Sequence, residues 1–181
     1  MSGRIDVHQH IIPARYQAYL DEVGVTAAGL AAPAWSEDLM LASMDKYEVE
    51  TAILSLSMPG VHFGDDMKAC AMAREVNEFA ADLAARRPER FGLFATLTLP
   101  DVEGSLTELA YAFDELGADG VILLANVGGL YLGNPRFEAV LAELDRRRAI
   151  VFLHPSQMPG PPPRGYRPTS RTSSWTAPGP R

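Results

Sequence analysis

ADGVILLANVGGLYLGNPRFEAVLAELDRRRAIVFLH, residues 118–154, is the stretch that decides the fold. It opens with an apolar run that predicts a buried strand. A helix follows, with Asn134 at its cap and Pro135 at its first position. It closes with a second apolar run, AIVFLH. Two buried strands joined by a helix are typical of a parallel pair with a helical crossover. The stretch therefore predicts an α/β fold.

The same alternation of strand and helix runs through residues 1–154. Strands that are almost continuously apolar indicate a parallel sheet covered by helices, either a doubly wound sheet or a (β/α)8 barrel. No glycine-rich phosphate-binding motif follows the first strand, which argues against nucleotide binding. Barrel closure needs eight units. Only about five are predicted, and their strands are RIDVH, TAILSLS, GLFATLTL, ADGVILLAN and AIVFLH.

Composition excludes several classes of function. The 181 residues carry a net charge of −7 and are 47% hydrophobic, which indicates a globular protein without the basic surface that nucleic acids or anionic membranes attract. The start MSGRIDVHQH has no apolar signal segment, and no run is long enough to span a membrane. Cys70 is the single cysteine, which fits a reducing compartment. We expect a cytoplasmic protein that binds neither nucleic acid nor membrane.

The last residues differ in composition from the rest. Prolines and arginines dominate the segment that follows residue 160, and it contains no acidic residue. We therefore expect a domain over 1–160 and a disordered tail over 161–181. Pro159, Pro162 and Arg164 match a PxxPxR pattern that suits aromatic-lined grooves, so one alternative is a non-catalytic interaction protein.

Three of the four histidines stand where parallel strands end. His8 and His10, in DVHQH, are two residues apart in the first strand, so their side chains face the same way, with Cα atoms roughly 6.6 Å apart. His154 ends the fifth strand. In parallel α/β folds, chemistry lies beyond the carboxyl ends of the strands. The spacing predicts a site for one divalent metal, with zinc the preferred ion, which would activate water or polarise an oxygen.

His62 is a weaker candidate. It lies in the loop PGVHFGDD after the second strand, on the same predicted rim as the other histidines. Loops on that rim carry function, so His62 could contact substrate. The two aspartates that follow it equally favour a solvated turn or a helix cap.

DVHQHIIP, GVILLANVGGLYLGNPRFEAVLAELDRR and VFLHPS together resemble the amidohydrolase superfamily. The most similar branch includes aminocarboxymuconate-semialdehyde decarboxylase and related non-oxidative decarboxylases. The likeness covers residues 3 to 160, and the stretch from Asn126 to Pro135 is its most specific part. It implies a distorted (β/α)8 barrel with one divalent metal, usually zinc, on His8, His10 and His154. It also makes Asn126 a candidate substrate contact.

The resemblance implies two further residues that have no counterpart here, a histidine after strand six and a metal-binding aspartate at strand eight. We therefore expect a C-terminally truncated or frameshifted member. Its parent activity would be that of a metal-dependent decarboxylase or hydrolase of a small carboxylic acid. The 181-residue chain itself is predicted to be inactive. Unpaired strands at both sheet edges predict association into homo-oligomers.

Overall fold

The computed structural model describes residues 3–26 and 33–156. Strands and helices alternate along these residues. The expected tail 161–181 and its PxxPxR pattern lie outside them. In chain order the elements are β1 (Arg4–His10), α1 (Ala14–Val23), α2 (Glu37–Lys46), β2 (Val49–Ser55), α3 (Asp66–Arg86), β3 (Phe91–Thr96), α4 (Val102–Asp114), β4 (Gly120–Leu124), β5 (Asn126–Val127), β6 (Leu130–Tyr131), a 3-10 turn (Pro135–Phe137), α5 (Glu138–Arg147) and β7 (Ile150–His154).

The central sheet has five parallel strands in the order β1-β2-β3-β4-β7. Spatial order follows chain order, whereas in a doubly wound sheet the order reverses at a switch point. The sheet therefore corresponds to five consecutive strands of a (β/α)8 barrel, and the doubly wound alternative is wrong for the described residues. β7 is the fifth strand expected from the sequence.

The main core lies between the sheet and the helices. Ala52 and Leu54 of β2 are fully buried, and Leu93 and Ala95 face the same layer from β3. α3 contributes one apolar stripe, which includes the buried Val76. The long helix forms because acidic residues start it, alanines fill it and Asp65 caps it by accepting a hydrogen bond from the Lys68 amide.

The segment between β4 and β7 differs from the sequence prediction in two ways. β5 and β6 form a small antiparallel hairpin, because Gly128 and Gly129 both adopt positive φ angles, as a two-residue primed turn requires. The predicted helix from Asn134 begins instead as a 3-10 turn, where the Asn134 side chain accepts a hydrogen bond from the Arg136 amide. Only then does α5 begin.

The edge strands present apolar side chains on the face of the sheet opposite the histidines. Ile5 and Val7 of β1 and Val151 and Leu153 of β7 are all exposed, Ile5 by 61% and Leu153 by 57%. Two of the described helices pack on inner strands, α2 on β2 and α3 on β3. The expectation of self-association stays a prediction. None of the described helices is long and apolar enough to cross a membrane.

Candidate metal centre

The curvature of the sheet brings His8, His10 and His154 together. In a flat sheet, β1 and β7 would lie about 19 Å apart, four strand spacings of about 4.8 Å. In the structure, His10 Nε2 lies 3.1 Å from His154 Nε2. Each of the three histidines offers one ring nitrogen as a potential ligand, and these three nitrogens lie within 4.8 Å of one another. The sheet is therefore curled as a barrel wall is, with the histidines on its concave face.

His10 is oriented by the neighbouring strand. Its Nδ1 lies 3.1 Å from Oγ of Ser55, the last residue of β2. The Ser55 hydroxyl donates to the carbonyl of Gln9, so its oxygen is left to accept from the Nδ1 proton of His10. This arrangement protonates His10 at Nδ1 and turns the lone pair of Nε2 towards the other two histidines.

His154 is oriented in the same way by its own backbone. Its Nδ1 lies 2.6 Å from the carbonyl oxygen of Pro155, which can only accept. His154 therefore carries its proton on Nδ1 and presents the lone pair of Nε2. Two such lone pairs 3.1 Å apart repel each other unless a proton or a cation lies between them. The donor geometry fits a metal ion, because two ligands at about 2.0–2.1 Å in tetrahedral geometry are roughly 3.3 Å apart.

Burial favours the neutral form of His10 and of His154 by lowering their pKa values. Desolvation, reinforced by the charges that His154 and His8 would carry, lowers the pKa of His10 from 6.5 to about 4. Desolvation also lowers the pKa of His154, against a hydrogen bond to Pro155 that raises it. Neutral imidazole is the form that binds metal. At neutral pH the site therefore offers metal-binding nitrogens that no proton occupies.

His8 reaches the site through an irregularity in β1. The register with β2 slips between Asp6 and Gln9, so the strand carries a bulge at this point. The backbone amide of His8 donates instead to the carboxylate of Asp6, at 2.9 Å. The His8 ring packs edge-on against His10, His154 and Phe152. The two-residue spacing predicted the same direction for His8 and His10, but not the bulge.

A cavity of about 720 Å³ opens at the carboxyl ends of the strands, the end of the sheet that carries the histidines, although none of the three histidines lines it. Its wall comes from residues that end β2, β3 and β4 and the loops after them, including Leu56, Ile122 and Leu124. Leu56 follows Ser55, the partner of His10, and Ser156 lies two residues after His154. Residues that line the cavity are therefore close in sequence to residues of the histidine site. It lies at the carboxyl ends of the strands, where ligands bind in such folds.

Asn126 and Ser156 form one polar corner of this cavity. The amide group of Asn126 donates to Ser156 Oγ at 2.7 Å, and the backbone amide of Asn126 donates to the same oxygen at 2.9 Å. These bonds tie β5 to the segment after β7. Sequence reasoning singled out Asn126 but missed Ser156 and Ser55. Two signals were available in the sequence. Ser55 lies near the end of the predicted strand TAILSLS, and Ser156 comes two residues after His154.

His62 also lines the cavity. Its Nε2 lies 2.6 Å from the Asp66 carboxylate, and its Nδ1 accepts a hydrogen bond from the Gly64 amide. These bonds hold the ring in the turn that leads into α3. His62 therefore lies both on the cavity rim and in a turn before a helix, the two surroundings that the sequence suggested. Contact between His62 and substrate stays a prediction.

Comparison with known proteins identifies the family. The family model described as amidohydrolase matches residues 5–180. The chain belongs to the amidohydrolase family. It is 38% identical to a 6-methylsalicylic acid decarboxylase from Penicillium expansum over 158 residues, which are 85% of this chain and 49% of the relative. The chain thus spans about half the length of this curated relative.

Solved structures agree with this family and with the fold. A crystal structure described as an amidohydrolase II superposes with a TM-score of 0.84 at 35% identity, covering 88% of this chain and 53% of the other. A dihydroxybenzoic acid decarboxylase from Polaromonas, solved with manganese and the inhibitor 2-nitroresorcinol, gives a TM-score of 0.72 at 26% identity. That match covers 91% of this chain and 52% of the other. The predicted partial barrel of the amidohydrolase type is confirmed.

Proposed function

We propose that this chain carries the metal-binding part of a decarboxylase site that acts on a hydroxylated aromatic carboxylic acid. The observation that carries the proposal is the convergence of His8, His10 and His154, with Nε2 of His10 and His154 facing each other at 3.1 Å. Two relatives whose names state a reaction are decarboxylases of such acids. This favours a carbon–carbon lyase over a hydrolase, the other activity that the sequence left open.

The reaction breaks the bond between the ring and its carboxyl group. Carbon dioxide leaves, the electron pair stays on the ring carbon, and that carbon takes up a proton. A divalent cation bound by the three histidines would supply Lewis-acid chemistry to this site. The residues of this chain would hold that cation and shield the ring from water. The apolar cavity wall, with Leu56, Ile122 and Leu124, suits the flat face of an aromatic ring.

The three imidazoles favour zinc among the candidate ions. Imidazole suits zinc, whereas manganese prefers oxygen ligands. The Polaromonas structure contains manganese, so the two ions have to be compared directly. We propose that zinc binds the chain more tightly than manganese does, and that three protein ligands leave a coordination position open.

Metal and ligand titrations of the 181-residue chain test the proposal. Zinc and manganese are titrated separately by calorimetry into metal-free protein, and 6-methylsalicylate is then titrated into each loaded form. We expect binding of the acid only in the presence of metal. His10→Ala should abolish metal binding, whereas Gln17→Ala, on the surface of α1, should leave it unchanged.

Release of carbon dioxide from 6-methylsalicylate and 2,6-dihydroxybenzoate is measured on the same samples, beside a full-length relative. We expect turnover below that of the relative, because the chain spans about half of that relative's length. Metal-independent binding of the acid, or no binding at all, would refute the proposed function.

A further inference from the structure

The bulge in β1 lies directly before the end of the strand that carries two of the histidines. Asp6 pairs with Ala52 of β2, and the next paired residue, Gln9, pairs with Leu54. Three steps along β1 therefore match two steps along β2. A slip of one residue moves every later side chain of a strand to the other face of the sheet. The direction in which these two histidines point thus depends on the bulge.

The carboxylate of Asp6 bonds to the backbone within this bulge. Its Oδ1 accepts a hydrogen bond from the His8 amide at 2.9 Å. Val7 and His8 lie between the residues that pair with β2, so the bond gives a partner to an amide in the interrupted part of the ladder. The described chain has no basic side chain in an ion pair with Asp6. The bond to its own backbone is therefore the contact that explains this carboxylate.

The His8 ring lacks the hydrogen bond that orients the other two histidines. Their Nδ1 atoms are held by the Ser55 hydroxyl in one case and by the Pro155 carbonyl in the other. In the part of the chain that the structure describes, no hydrogen bond reaches the His8 ring, which is exposed and makes edge-on ring contacts. A metal-binding histidine is usually oriented through its second ring nitrogen. For His8, the backbone has to set the direction instead.

We propose that Asp6 is a positioning residue of the metal centre, which bonds the His8 amide and so holds the bulge that turns His8 towards His10 and His154. The assignment rests on the metal binding proposed above and adds a residue that contacts neither metal nor substrate. Asp6 acts in it through the length and the acceptor oxygen of its side chain. Its negative charge is not required.

Two conservative substitutions separate the bond from the charge. Asp6→Asn keeps an acceptor oxygen at the same distance from the backbone and removes the charge. Asp6→Glu keeps the charge, but its longer side chain does not close the two-residue turn that aspartate and asparagine form. The matched control is Asp21→Asn, which removes the same charge from an exposed position of α1.

Zinc is titrated by calorimetry into the metal-free 181-residue chain and into each variant. Asp6→Glu should weaken zinc binding by about 10- to 100-fold, the usual effect of losing a group that orients a metal ligand. Asp6→Asn and Asp21→Asn should bind zinc as the wild type does. Cobalt(II) gives a second signal, because the intensity of its visible absorption depends on the number of protein ligands. At saturating cobalt, Asp6→Glu should absorb more weakly than the wild type, whereas Asp6→Asn should match it.

Urea midpoints of the metal-free variants show whether each one is folded before metal is added. A folded Asp6→Asn variant that binds zinc many-fold more weakly than the wild type would assign the effect to charge and would overturn the inference, whatever Asp6→Glu shows. Equal zinc affinity in all four proteins would overturn it while leaving the proposed function intact. Failure of the wild-type chain to bind zinc would overturn both.

Discussion

Replacement of Asn77 by alanine should destabilise the chain more than any surface substitution. The Asn77 side chain is fully buried and makes three hydrogen bonds, to the amide and the carbonyl of Thr96 and to the carboxylate of Glu108. Arg74 pairs with the other oxygen of that carboxylate at 3.0 Å. Asn77 therefore joins α3 to the end of β3 and to α4, directly behind the cavity.

The expected cost follows from these three bonds. The two bonds to the Thr96 backbone are between neutral groups and contribute about 1 kcal/mol each. The bond to Glu108 involves a charged acceptor and contributes about 2 kcal/mol. Asn77→Ala should therefore lower the free energy of unfolding by about 4 kcal/mol, a large share of the 5–15 kcal/mol typical of a domain.

Urea unfolding followed by circular dichroism measures this loss. Met67→Ala is the matched control, because Met67 lies on the same helix and is 84% exposed. Its effect should stay within about 0.5 kcal/mol. A loss below about 1 kcal/mol for Asn77→Ala would refute the reasoning, since it would mean that water or a rearranged Glu108 replaces all three bonds.

Asn77→Asp adds a pH signature to this test. A carboxylate at position 77 would face the Thr96 carbonyl and the Glu108 carboxylate, which repel it, so its pKa should lie above the ordinary value for aspartate. Folding then favours the protonated form. The stability gap between Asn77→Asp and the wild type should therefore shrink as the pH falls through neutral to acid, because a protonated carboxyl can donate. A stability gap that widens in acid would contradict the contacts assigned to the side chain at position 77 with Thr96 and Glu108.

Three further predictions concern the site and the sheet edges. The free energy of unfolding of the metal-free protein should fall by up to about 3 kcal/mol between pH 6.5 and pH 4. The cause is that His10 has a folded pKa of about 4, so the unfolded chain takes up the proton first. Urea midpoints of the wild type and of His10→Asn, compared at each pH, separate this loss from the effect of the carboxylates. Gly120→Ala should weaken zinc binding and lower stability by about 1–3 kcal/mol. The added Cβ would lie 2.5 Å from the Ile150 carbonyl oxygen and would push β7, with His154, away from β4. Calorimetry measures the zinc affinity and urea unfolding the stability, and an unchanged zinc affinity would contradict the displacement of His154. The double substitution Val151→Lys and Leu153→Lys should shift the chain towards monomer in analytical ultracentrifugation, because both side chains are exposed and apolar on an edge strand. An unaltered distribution of oligomers would show that this face of β7 takes no part in self-association.

Local patterns in the sequence predicted the elements well where a local cause forms them. Ser36 accepts a hydrogen bond from the Leu39 amide at the start of α2, as its place before two acidic residues indicates. Asn134 caps a helical turn. Such signals act over three or four residues, so a single stretch of sequence contains both partners. The hairpin of β5 and β6 was missed, although its two glycines carried the signal.

The sequence by itself determined the residue types of the candidate site and the ends of the strands that carry them. His8 and His10 face one way because of their spacing, and His154 ends a strand of the same parallel sheet. Only the tertiary structure decided that these strands meet. The curl of five strands closes a gap of 144 residues along the chain to 3.1 Å between two nitrogen atoms.

The partners of these residues were also beyond sequence reasoning. Ser55 sets the tautomer of His10 from 45 residues away, and Asn77 clamps Thr96 from 19 residues away. A serine or an asparagine has the same local pattern whether or not such a partner exists. The bonds form because packing removes water from these polar groups, and each group must then find its partner across the fold.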